Sequence, residues 1–111
     1  NTVFVFTSDH GQLAKGTLME GGVRVPIFIR YPTLFTANTT SPEVVSLLDL
    51  PATVLDIAGV SSSYSLDGAT LVPLAATDTS RRQGAESKPK FAEINFDRVV
   101  IKGQYKYISL G

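Results

Sequence analysis

The sequence has no cysteine, so a disulfide framework, a thiolate zinc site and a cysteine nucleophile are all excluded within its 111 residues. It has no net charge, because ten basic side chains balance ten acidic ones when its single histidine is neutral. With no basic run interleaved with aromatics, the electrostatic footprint of a nucleic-acid binder is missing. No apolar stretch approaches the roughly 20 residues of a membrane span, and nothing resembles a signal peptide. Internal repeats and low-complexity blocks are absent. The first residue is Asn1 rather than methionine, and the chain runs at once into an apolar segment, so a cut N-terminus is expected and the cellular compartment stays unread. What is present, 43% hydrophobic residues, suits one globular domain or less.

Thr2 to Thr7 is a continuous β-branched and aromatic run that ends in Ser8-Asp9-His10-Gly11. It predicts a central parallel strand buried on both faces, with a site at its carboxyl end, the edge where open α/β sheets hold ligands. Gln12 to Val25, Gly-rich at Gly16 and Gly21-Gly22, predicts a loop over the top of that sheet. Pro26 to Arg30 is a second short strand, closed by Pro32. Thr33 to Ser41 is a polar surface connection containing the sequon Asn38-Thr39-Thr40. Val44 to Leu47 reads as a strand, although the Ser41-Pro42-Glu43 start also suits a helix. Asp49 is placed to cap a helix over Leu50 to Ala58, with Pro51 in its first turn, Leu50, Val54, Leu55 and Ala58 on one face, and Gly59 just past its end. Ser61 to Tyr64 and Thr77 to Pro89 predict surface loops, and Leu66 to Val72 a turn leading into a short apolar segment. Phe91 to Ile94, Val99 to Lys102 and Tyr105 to Ser109 predict three strands, the last two joined by a type II′ turn at Gly103-Gln104.

Asp9 and His10 put a carboxylate and an imidazole side by side where the backbone leaves the first strand. Neighbours in extended chain face opposite ways, so both reach one ion only if the chain turns there, and Gly11 permits the turn. Taken alone, Asp-His-Gly at a strand end also fits a self-satisfied turn. Two ligands are in any case an incomplete set, since a hard divalent cation takes roughly six or more oxygens and zinc about four donors. Lys15, on the Gly-rich loop that follows, is a point charge suited to an oxyanion, or a solvated surface lysine. Glu20 and Arg24 flank Gly21-Gly22 and suit a structural ion pair that fixes the loop, with contact between Arg24 and substrate as the other role.

The segment from Asn1 to Gly11, followed by Lys15-Gly-Thr-Leu-Met-Glu-Gly-Gly-Val-Arg-Val-Pro26, resembles a signature of the sulfatase family. There a strand ending in Ser-Asp-Asn/His-Gly precedes Lys-Gly-x-x-x-Glu-Gly-Gly-x-Arg-x-Pro. Asp49-Leu-Pro-Ala-Thr-Val-Leu-Asp-Ile-Ala-Gly59 looks like the family's Asp-x-x-Pro-Thr-Leu-Leu-x-x-Ala-Gly helix, with Pro51-Ala52-Thr53 in place of adjacent Pro-Thr. Asp67-Gly68 to Pro73 resembles its Asp-Gly-x-Ser-Leu-x-Pro turn, and Arg98 to Ile108 its closing strands. The likeness runs in order along almost the whole chain.

The resemblance implies an α/β fold: part of an alkaline-phosphatase-like sandwich with a mixed, mostly parallel central sheet, followed by a small C-terminal antiparallel region. Residues 1–76 would be the C-terminal portion of the catalytic domain, 77–90 a surface loop and 91–111 the start of the antiparallel strands. It further implies a metal-dependent sulfuric ester hydrolase. Asp9 and His10 would bind a divalent cation, usually calcium, and Lys15 would contact the sulfate. The family's nucleophile, a formylglycine made from the first residue of Cys/Ser-x-Pro-x-Arg by a formylglycine-generating enzyme, would lie upstream with the remaining ligands. His10 stands where many sulfatases have Asn, and its softer imidazole makes manganese, magnesium or zinc alternatives to calcium. Asp-His also occurs in phosphonate and phosphodiester hydrolases of the same superfamily, which are the neighbouring alternative. A catalytically inactive binding relative is the alternative of another class, and it is disfavoured because Asp9 and Lys15 are both retained. The substrate implied is a sulfated small molecule or glycan, and family export habits point to a secreted, periplasmic or lysosomal setting.

Overall fold

The computed structural model describes residues 2–72 and 88–111. Asn1, Pro73 and nearly all of the predicted loop at 77–89 lie outside them, as does the expected boundary near residue 76. The chain divides into two units, one formed by Asn1–Tyr31 with Pro89–Gly111 and the other by Pro32–Lys88.

In the first unit, β1 (Phe4–Thr7) pairs with β2 (Ile27–Arg30), with Phe4 opposite Arg30 and Thr7 opposite Ile27. The pairing is antiparallel, and no parallel pairing is present among the described residues. The reason lies in the connection. Gly11 N–H donates to the Gly22 carbonyl at 2.7 Å and Ala14 N–H to the Gly21 carbonyl at 3.2 Å, so the loop closes on itself and sends the chain back beside its outgoing path. Burial on both faces is not seen either. Phe4, Phe6 and Phe28 are exposed, while Val5, Thr7, Ile27 and Ile29 are half-buried, the alternation of a ladder covered on one side. Phe6 and Phe28 are cross-strand partners whose rings stand 6.0 Å apart at 43°. The expected loop between the strands contains one helical turn, α1 (Glu20–Val23).

The same unit holds a three-stranded antiparallel meander of β3 (Lys90–Ile94), β4 (Asp97–Lys102) and β5 (Tyr105–Ser109). Its second turn follows the II′ pattern, with Gly103 at φ +55° and no positive φ at Gln104. Its first turn, Asn95-Phe96, was not expected from the sequence; Asn95 takes φ +53°, which Asn tolerates better than most residues. Cross-strand register puts Ala92, Val99 and Ile108 on one face, where Val99 is 3% exposed, worth roughly 2 kcal/mol of apolar burial. Phe91, Val100 and Tyr107 share the other face, on which both aromatic rings are exposed.

The second unit is organised by α2 (Asp49–Ile57). Gly59, at φ +67°, ends it in a Schellman motif: its N–H donates to the Asp56 carbonyl at 3.1 Å and Val60 N–H to that of Leu55 at 2.9 Å. The expected strand at Val44–Leu47 does not form. Ser46 instead gives its N–H to Asp49 Oδ2 at 2.7 Å and its carbonyl to Asp49 N–H at 2.9 Å, so its backbone groups are used in a turn. The buried positions of the helix are Asp49 and Thr53, whereas Val54 and Ala58, expected on the covered face, are exposed. Polar partners, not apolar periodicity, set which side of this helix is covered. Asp49 is also the first helical residue rather than the cap; Leu48 holds that place and makes no side-chain cap bond.

Candidate functional site

β1 delivers Ser8, Asp9 and His10 to the point where the chain turns away from the ladder. The Ser8 hydroxyl donates to the His10 carbonyl at 2.9 Å and so tightens that turn. Its single proton goes there rather than to Asp9 Oδ1, which lies at 3.5 Å. The next residue has to be glycine, because a Cβ on Gly11 would overlap the Gly21 carbonyl. The turn meets the condition set by the sequence: Asp9 Oδ1 and His10 Nε2 stand 3.6 Å apart.

The imidazole orientation is fixed from behind. His10 Nδ1 lies 2.9 Å from the Gly11 carbonyl, an oxygen that can only accept, so Nδ1 carries a proton and Nε2 is the ring nitrogen turned toward the carboxylate. A neutral imidazole in this tautomer has its lone pair on Nε2, the form in which histidine binds a metal. The donor set therefore fits a divalent cation: metal–ligand distances of about 2.0 to 2.5 Å allow one ion to bridge a 3.6 Å gap. A backbone carbonyl on the far ring nitrogen is also the usual support of a ligating histidine. Among the described residues no group of three or more His, Asp or Glu side chains converges. Asp9 is 84% exposed and His10 36%, which leaves the pair open to further ligands.

Lys15 sits at the tip of the closed loop. Thr17 N–H and hydroxyl both reach the Ala14 carbonyl, at 3.2 and 2.9 Å, and Gly16 takes φ +82°, so Ala14 to Thr17 has the pattern of a type II turn with Lys15 at its first central position. Its ammonium is exposed and has no partner among the described residues. Behind the turn Leu18 is buried, and Gly22 is packed so closely that a Cβ there would overlap the carbonyls of Ala14 and Thr17. Gly22, like Gly11, is where the loop packs against its own backbone.

The expected ion pair between Glu20 and Arg24 is replaced by another. Glu20 Oε1 accepts from Lys106 Nζ at 2.9 Å, from a strand 86 residues away, while Arg24 gives Glu20 only a helical backbone bond and a weaker charge effect. The Lys106 hydrogen bond holds the Glu20 carboxyl below its ordinary range; partial burial opposes this, and the charges of Lys106 and Arg24 add to it. Lys106 escaped sequence reasoning, although the period-2 pattern of β5 was a signal. It puts Lys106 on the same face as half-buried Ile108, an unusual direction for a lysine without a partner.

Comparison with known proteins fits this geometry. The family model described as N-sulphoglucosamine sulphohydrolase, C-terminal, matches residues 8–106. Arylsulfatase K of Rattus norvegicus is 36% identical over 97% of the chain and 22% of its own length. The N-acetylglucosamine-6-O-sulfatase of Bacteroides thetaiotaomicron is 37% identical over 67% of the chain and 14% of its own length, and the ulvan-active sulfatase of Formosa agariphila 32% over 67% and 15%. The chain thus spans about a fifth, or less, of the curated relatives it matches. With the site residues, the loop and the meander as far as Lys106 inside the matched span, the chain belongs to the sulfatase family, in the C-terminal region described by that family model.

Proposed function

We propose that this chain supplies part of the active site of a metal-dependent sulfatase that hydrolyses sulfate esters, with Asp9 and His10 as cation ligands and Lys15 as the residue that contacts sulfate. The observation that carries the reading is the approach of Asp9 Oδ1 to His10 Nε2 at 3.6 Å, with the ring oriented by the Gly11 carbonyl. When bound, a divalent cation supplies neutralisation of charge on sulfate oxygens. Asp9 and His10 hold that charge at the end of β1, and Lys15, raised on a closed turn, adds a second positive charge for an oxyanion. Calcium is the first choice, the imidazole nitrogen widens the set to manganese and zinc, and magnesium is the further hard-cation alternative. The formylglycine nucleophile, installed by a formylglycine-generating enzyme, and the remaining ligands belong to the rest of a full-length protein. In the same reading β1 joins a mixed, mostly parallel sheet completed outside this chain, and the exposed Phe4, Phe6 and Phe28 face supports it. The sulfated substrate is a small molecule or glycan, in line with relatives named for aryl, ulvan and N-acetylglucosamine sulfates.

Peptide-mapping mass spectrometry of the full-length protein tests this. The expected result is a Cys/Ser-x-Pro-x-Arg peptide whose first residue carries the formylglycine mass change. An unmodified Thr or Ser nucleophile would shift the assignment to a phosphonate or phosphodiester hydrolase, and no such peptide to an inactive binding relative.

A further inference from the structure

The loop that carries Lys15 is tied at its base to the covered face of the C-terminal meander. At its base, Glu20 receives the Lys106 ammonium of β5 at 2.9 Å. Lys106 is 20% exposed and Glu20 65%, so the lysine end of this bond is shielded while the carboxylate end meets water. The contrast within the same sheet is Arg98 with Glu93, 3.6 Å apart with both side chains about 70% exposed, a pair of the kind that contributes almost nothing. From that tie to its tip the loop's own bonds form a closed unit: Gly11 to Gly22, Ala14 to Gly21 and Thr17 to Ala14. A closed unit moves as a body, so a displacement at Glu20 is passed to the turn that presents Lys15.

We propose that Lys106 is a positioning residue for sulfate binding: through Glu20 it sets the placement of the Lys15 turn relative to the Asp9–His10 pair, while touching neither substrate nor metal itself. The inference rests on the reading of Lys15 as the sulfate-contacting residue. It gives the C-terminal meander a part in catalysis, since a lysine on its last strand orients a loop 86 residues earlier in the chain.

The test uses the full-length protein with Glu20→Gln, Lys106→Ala, the charge swap Glu20→Lys with Lys106→Glu, and Lys15→Ala. Turnover of an aryl sulfate, inhibition by inorganic sulfate, metal content and melting temperature are measured for each. The expected result for Glu20→Gln and Lys106→Ala is a rise in KM and in the sulfate inhibition constant of about tenfold, at unchanged metal content and with little change in melting temperature. The swap should recover a large part of that loss. Glu20→Gln is nearly isosteric and decides the matter even if the swap does not fold. A folded, metal-loaded Glu20→Gln protein with wild-type KM and sulfate inhibition overturns the inference, as does a loss that simply tracks melting temperature. If Lys15→Ala is itself without effect, the assignment of Lys15 fails and this inference with it; if Lys15→Ala impairs binding and Glu20→Gln does not, only the positioning role fails.

Discussion

The carboxylate of Asp49 joins the helix that contains it to the backbone of Ala69: Oδ1 accepts the Ala69 N–H at 2.8 Å while Oδ2 accepts the Ser46 N–H at 2.7 Å. Asp49 has no exposed surface, and four residues on Thr53 repeats the pattern, its hydroxyl donating to the Asp49 carbonyl and accepting from Leu71 N–H. The segment 69–71 is thus held to α2 by polar bonds at one helical repeat. Gly68 lets it approach, since a Cβ there would overlap the Leu48 carbonyl.

Asp49→Ala in the full-length protein should cost about 2 kcal/mol of stability, because it strands part-buried N–H donors at Ser46 and Ala69. Thr53→Val, which keeps the shape and removes the hydroxyl, should cost about 2 kcal/mol. Urea unfolding checks both. A loss under about 0.5 kcal/mol for either would mean that water replaces the clasp.

Two glycines of different kind should separate. Gly22→Ala drives a methyl into the carbonyls of Ala14 and Thr17, and should both destabilise the protein by about 3 kcal/mol and impair binding of inorganic sulfate. Gly103→Ala meets no neighbour and suffers only from φ +55°, so it should cost about 1 kcal/mol and leave sulfate binding alone. Equal effects on sulfate binding would contradict the role given to the closed loop.

Asp9→Ala should strip the cation and lower turnover by roughly 100-fold or more, the scale of the charge stabilisation lost. Metal content measured by elemental analysis is the independent readout. Retention of both metal and rate would show that Asp9 is not a ligand.

The Glu20–Lys106 bond has a defined pH window. The Glu20 carboxyl is held below its ordinary range, so the folded state gains from its ionised form above the unfolded value, and that gain disappears as pH falls through the lowered folded value. Stability from this bond should therefore be level from about pH 7 to pH 5 and decline below about pH 4. Glu20→Gln should flatten that part of the acid-side profile. An unchanged profile would place the acid sensitivity elsewhere.

On the proposed reading the 111 residues expressed alone should show no aryl sulfate turnover, since they contain no Cys/Ser-x-Pro-x-Arg motif. Measurable turnover by the isolated chain would refute the division of labour between it and the rest of the protein.

The sequence by itself determined the local features. The strand ending at Thr7, the turn at Asp9–His10, the glycine after α2 and the Gly103-Gln104 hairpin all follow from residue-level rules of side-chain branching, permitted φ and turn chemistry. Motif order alone was enough to suggest the family. Tertiary structure decided what depends on partners distant along the chain. It made β1 antiparallel to β2 through a loop that closes on itself, turned Asp49 from a cap into a clasp for Ala69, and gave Glu20 to Lys106 instead of its near neighbour Arg24. Local rules cannot reach those outcomes, because a hydrogen bond or ion pair goes to whichever group the folded chain brings within about 3 Å, and sequence separation has no bearing on that distance.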